Sequence, residues 1–159
     1  MTKNICSTLV ILAIIFLGGC EQNSVHTTKG HLIIIGGGSR PEIIMRKFVD
    51  LAGGSEARIA IIPMASEYYQ EGGKRTEKEF IELGVEEARA FYIPDSLQAC
   101  SDSTLTALES YTGYFFGGGN QNRLTEIFNG TLAHELFHRR YSEGAVLGGT
   151  SAGAAIMSN

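Results

Sequence analysis

The 159-residue chain has 43% hydrophobic and 19% charged residues, a balance that fits one globular domain rather than a disordered chain. Its formal net charge of -4 offers no basic field to a polyanion, and no Lys/Arg run exceeds two residues, so nucleic acid is excluded as a partner. Gly is abundant, at 20 residues, and its clusters follow apolar runs, which predicts backbone-built loops at strand ends.

Residues 1–19 read as a secretory signal. A single early charge at Lys3 precedes an apolar run from about Leu9 to Leu17, too short to span a bilayer. The run ends in Leu17, Gly18, Gly19 and Cys20, which resembles a bacterial lipobox. Cys20 is then the lipid attachment site, and two acyl chains would hold the protein on the cell envelope by an anchor rather than a span. The alternative to the lipobox is an ordinary signal peptide, or an apolar anchor, with an incidental cysteine. Removal of Cys6 and acylation of Cys20 leave only Cys100, so no internal disulfide can form and the fold must stand on its core. Residues 20–29 are polar and aperiodic, a tether between lipid and domain.

From Gly30 to Asn159 apolar runs alternate with helical patterns. The run at 31–38 predicts a first strand, followed by a helix with Pro41 in its first turn and Ile43, Ile44, Phe48 and Leu51 on one side. A second strand falls in 57–65 and a helix from Lys74 to Gly84, then a third strand in 88–95 and a helix at 102–110. A fourth strand in 111–119, two helices around 120–130 and 131–144, and a fifth strand in 144–152 complete the pattern. Continuous apolar runs predict strands buried on both faces. The chain therefore reads as an α/β three-layer sandwich, a mostly parallel sheet with helices on each side.

In such sheets the chemistry gathers beyond the carboxyl ends of the strands, where the glycine clusters fall. Gly36 and Gly38 open a dinucleotide-like pattern, but Pro41 takes its last glycine position and no acidic residue closes a second strand. That cluster reads instead as a tight turn or a place of close substrate approach. Ser151 is flanked by Gly149 and Gly153 in the order G-x-S-x-G, between a strand and a helix-like segment, which is the setting of a nucleophile elbow. The amide of Ala152 is one expected oxyanion donor, and the loop at Gly117–Asn120 supplies others. If both clusters are only helix-packing turns, no chemistry follows.

The segments at 29–54, 57–66, 113–124 and 144–159 together resemble the amino-terminal part of the cyanophycinase and aspartyl dipeptidase family of serine peptidases, which shares the class I glutamine amidotransferase-like, flavodoxin-like fold. The resemblance implies that Ser151 is the nucleophile and that Ala152, Gly118 and Gly119 form the oxyanion hole. It also implies that Gln121 and the neighbouring Asn120 face the substrate, Asn120 standing where many cyanophycinases carry Asp. The implied substrate is a β-Asp-Arg polymer or a related Asp peptide, with Arg123 a further cation if it faces the crevice. No cofactor or metal is implied, and a homodimer stays open.

A neutral serine needs a base, usually a histidine held by a carboxylate. The family supplies both after the elbow, so the chain reads either as a degenerate protein or, the favoured reading, as an incomplete domain truncated after the nucleophile elbow and inactive alone. His134 and His138 are spaced i, i+4 on the helix before the fifth strand, which runs back toward the amino end of the sheet. They read as helix surface rather than as a base or a metal pair. Two other functions remain: a non-catalytic peptide- or amino-acid-binding lipoprotein, and a glutamine amidotransferase-like hydrolase, disfavoured because that class uses Cys at the elbow.

Overall fold

The computed structural model describes residues 28–158, so the expectations for the signal, for Cys20 and for most of the tether lie outside the described residues. Along the chain run β1 (His31–Ile35), α1 (Glu42–Ala52), β2 (Arg58–Ile62), α2 (Tyr69–Glu82), β3 (Glu87–Ala90) and α3 (Ser96–Ala99). They are followed by α4 (Asp102–Glu109), β4 (Gly113–Phe116), α5 (Gln121–Phe128), α6 (Leu132–Glu143), β5 (Val146–Thr150) and α7 (Ala152–Ala155). Every strand pair is parallel, and the order across the sheet is β1-β5-β4-β2-β3. The chain steps outward from β1 to β3 and then returns through β4 to β5. Right-handed crossovers place the helices of the outward steps on one face and those of the return on the other.

Two cores follow from that path. Beneath α1 and α2 the rings of Phe48, Phe80 and Phe115 meet at centroid distances of 5.4 to 5.7 Å. Phe48 reaches the strands because Gly113 and Gly148 have no side chain: a Cβ on Gly148 would lie 2.6 Å from its ring. Beneath α5 and α6, Tyr114, Phe116, Phe128 and Phe137 form the second cluster. Each buried ring contributes about 1.5–3 kcal/mol, so these two layers carry most of the stabilisation.

Three expectations need correction. β1 is not buried on both faces: Ile33 and Ile35 pack under α1, but Leu32 and Ile34 point the other way and are 45% and 53% exposed. The reason is position, since β1 is an edge strand and no described helix covers that side of it. α2 begins at Tyr69 rather than Lys74, because buried Gly73 lets the helix lie close to β3, where a Cβ would stand 2.9 Å from that of Ala90. The third strand ends at Ala90 and is followed by the short α3, whose N-cap Asp95 accepts from the Gln98 amide.

At its other end the described chain packs from Lys29 onward. The Lys29 amide donates to the Ser142 carbonyl, and a Cβ on Gly30 would overlap the carbonyl of Tyr141 at 2.3 Å. Among the described residues no helix is long and apolar enough to cross a membrane.

Candidate active site

β5 lies between β1 and β4, so the residue that follows it emerges at the middle of the carboxyl edge. That residue is Ser151. Its φ of 52° and ψ of -114° make it the only described non-glycine residue with positive φ, a conformation that costs about 1–3 kcal/mol. Surrounding hydrogen bonds impose it. The Ser151 amide donates to the Ile35 carbonyl at 2.9 Å, and the Ser151 carbonyl accepts from Ala154 and Ala155 at 3.0 and 2.9 Å. The strand is thus tied to β1 and the helical turn is tied to the serine, which leaves the side chain at the tip.

The flanking glycines serve space rather than conformation. A Cβ on Gly149 would lie 2.4 Å from the Gly153 carbonyl oxygen, and one on Gly153 would lie 2.1 Å from that of Phe116, so the space they leave is filled by backbone rather than by the serine side chain. The motif packs the returning turn onto the ends of β5 and β4. α7 is a single turn, so its contribution to an anion is a pair of local amides, not a long helix dipole.

The Gly117–Asn120 loop lies beside the serine because Phe116 pairs with Gly149. A Cβ on Gly118 would stand 3.4 Å from that of Ser151. The Gly117 amide is taken by Ile62 and the Asn120 amide by Ala65, whereas those of Gly118, Gly119 and Ala152 have no hydrogen-bond partner among the described residues. Unpartnered amides next to a strained serine are the arrangement that stabilises an oxyanion. Gly119, with φ of 145°, is also a packing point, since a Cβ there would overlap the Ala65 carbonyl at 2.2 Å.

Ser151 opens onto a cavity of about 440 Å³ between the ends of β1, β2, β4 and β5 and the start of α2. Ser151, Gly118, Thr150, Gly38, Ser39, Arg40, Ser66, Arg75 and Thr76 line it. The glycine turn after β1 reaches the same point, for a Cβ on Gly37 would stand 3.7 Å from that of Ser151. No His, Asp or Glu is among its described lining residues.

The remaining sequence candidates stand apart from the cavity wall. Asn120 caps α5, its side chain accepting from the Asn122 amide at 3.0 Å, and Gln121 opens that helix exposed to solvent. Arg123 donates to the Met64 carbonyl at 3.2 Å and so fixes α5 to the loop after β2. His134 and His138 place their Nε2 atoms 3.0 Å apart in a separate groove with Phe128, Phe137 and Met157. Burial first, and His138 second, hold His134 below its ordinary value. Among the described residues no three His, Cys, Asp or Glu side chains converge as metal ligands would.

The first glycine cluster, expected to be a tight turn or a place of close substrate approach, does reach the site through Gly37. Sequence reading missed Arg40, Ser66 and Arg75 as members of the site; the arginines lie on a loop and a helix face that no local motif marks.

Residues 32–159 match the profile of Peptidase family S51. Over 141 residues the chain is 36% identical to cyanophycinases of Synechococcus elongatus and Thermosynechococcus vestitus, which covers 86% of this chain and 43% of each relative. The cyanophycinase of Nostoc sp. is also 36% identical, with 47% of it covered. The chain therefore spans less than half the length of these curated relatives. A peptidase from an acI-B1 Actinobacterium superposes with a TM-score of 0.70 at 22% identity, covering 82% of this chain and 57% of that one. A putative peptidase E from Listeria monocytogenes gives 0.58 at 23% identity, covering 80% and 61%. Sequence match, parallel sheet and elbow geometry agree, and the chain belongs to Peptidase family S51.

Proposed function

We propose that the full-length protein is a serine exopeptidase of the cyanophycinase type, acting on β-Asp-Arg polymer or related Asp peptides through an acyl-enzyme on Ser151. The observation that carries the reading is Ser151 itself, held at positive φ beside the unpartnered amides of Gly118, Gly119 and Ala152. Ser151 Oγ would attack the scissile carbonyl while a base takes its proton, and the amides would receive the negative oxygen. Collapse would break the C–N bond, the base would return the proton to the leaving amine, and water would release the acyl group by the same route. The base and its carboxylate are assigned to residues outside 28–158, since no such group lines the cavity.

The test is hydrolysis by the full-length protein. It is expected to cleave β-linked Asp-Arg polymer in preference to an α-linked Asp-Leu dipeptide. Cleavage of the dipeptide with the polymer untouched would move the assignment to an aspartyl dipeptidase. The alternative is a non-catalytic peptide-binding protein of the same fold, which holds if the full-length protein supplies no His and acidic partner to Ser151. Binding of either peptide without turnover would select it.

The same proposal includes export and lipid anchoring through Cys20, because Leu17, Gly18 and Gly19 precede it after a short apolar run. A polymer too large to enter a cell suits an enzyme held at its surface. Metabolic labelling with a palmitate analogue is expected to mark the protein, and Cys20→Ala to abolish the mark. Equal labelling of the variant would exclude the anchor.

A further inference from the structure

Gly72, Arg75, Thr76 and Glu79 fall at i, i+3, i+4 and i+7, on one face of α2, and the first three line the Ser151 cavity. Two cations therefore border the site, and their situations differ. Arg40 is already engaged: it pairs with Glu79, donates to Thr76 Oγ1 at 3.2 Å and lies 5.6 Å from the centre of the Phe115 ring. Arg75 is exposed and has no ion pair or hydrogen bond among the described residues. The two acids one turn away do not neutralise it, because Glu79 is held by Arg40 and Glu71 forms no ion pair with it.

The helix that presents Arg75 is fixed. Gly73 lies against Ala90 and Tyr92, the Glu77 carboxylate accepts from the Ala90 amide at 2.6 Å, and the Tyr69 and Tyr92 rings stand 5.8 Å apart. Beside it, Ser66 Oγ accepts from the Tyr68 amide at 3.0 Å, which leaves its own O–H free to donate. Gly72 adds open space, since a Cβ there would meet nothing within 4 Å. A free guanidinium, a free hydroxyl and room between them, with no carboxylate among the described lining residues, match a substrate group that is negative and planar.

We propose that Arg75 is a specificity-determining residue of this site, taking a carboxylate of the peptide substrate while Ser151 addresses a neighbouring carbonyl; the inference rests on the peptidase reading of Ser151. In a peptide, the anionic groups available are an acidic side chain or a free terminal carboxylate. In the β-Asp-Arg unit the arginine's own carboxylate meets that description.

The experiment measures peptide affinity in full-length protein carrying Ser151→Ala, so that binding is read without turnover. Two β-Asp-Arg peptides are compared, one ending in a carboxylate and one in a carboxamide. The carboxylate peptide is expected to bind roughly 10- to 100-fold more tightly, the range of a hydrogen bond to a charged group. Adding Arg75→Gln should bring that ratio close to one, and Arg75→Lys should restore part of it. Equal affinity for the two peptides without the Arg75 change, an unchanged ratio after Arg75→Gln, or no binding of either peptide would each overturn the proposal. Hydrolysis by the wild-type protein is followed in parallel. Loss of hydrolysis with the affinity ratio intact overturns the peptidase reading alone, and turnover with a ratio of one overturns the role of Arg75 alone.

Discussion

Ser151→Ala in the full-length protein is expected to abolish peptide hydrolysis, lowering kcat/KM by roughly three or more orders of magnitude, while the fold is kept. The methyl side chain cannot attack a carbonyl, and the partners of a nucleophile have little to do without it. A second substitution separates chemistry from strain. Ser151→Gly removes the same hydroxyl but relaxes a backbone held at φ 52° and ψ -114°, where glycine meets no Cβ penalty. The glycine variant is therefore expected to be equally inactive yet more stable than the alanine variant by about 1 kcal/mol, even after its larger chain entropy is counted. Thermal melts of both proteins, with peptide hydrolysis assayed alongside, give the result. Retained turnover in either variant would remove Ser151 from the reaction. A glycine variant less stable than the alanine variant would show that the positive φ stores no strain.

The fold was legible in the sequence because buried parallel strands are written as continuous apolar runs separated by amphipathic helices. Four of the five runs contain a strand, the third only overlaps β3 (Glu87–Ala90), the other edge strand, which carries Glu87 and Arg89, and every pairing is parallel. The reading failed where a residue's surroundings, rather than its own type, decide the outcome. Ile34 looks like Ile61 in a string of letters, but Ile34 belongs to an edge strand and is 53% exposed while Ile61 in β2 is 1% exposed. Gly73 looks like a helix breaker, but the close approach to Ala90 makes it part of α2. The site divides in the same way. Ser151 sits in a local G-x-S-x-G pattern, so the sharp strand-to-helix turn at its position was readable. Arg40 and Arg75 are separated by 35 positions and meet the serine only through the sheet order, which a linear sequence does not display.

The elbow glycines yield the largest expected stability effect. A Cβ on Gly153 would lie 2.1 Å from the Phe116 carbonyl oxygen, 2.6 Å from its carbon and 2.8 Å from the Gly117 carbonyl oxygen. All three atoms are backbone, so no side-chain rotation can clear the space. Either α7 lifts away from the end of β4 or the Phe116–Gly117 peptide moves, and that peptide leads into the loop carrying Gly118 and Gly119. Overpacking of a well-packed region costs typically 1–3 kcal/mol, and a clash wholly with backbone belongs at or above the top of that range, about 3 kcal/mol or more. Gly153→Ala is thus expected to lower the melting temperature markedly and to depress hydrolysis even in the molecules that remain folded, because the amides move away from Ser151. Gly36→Ala provides the control: a Cβ there meets nothing within 4 Å and the residue does not have positive φ, so its melt should match that of the parent. If Gly153→Ala melts with the parent and hydrolyses peptide at the parental rate, close packing of the elbow on β4 is not what positions the serine.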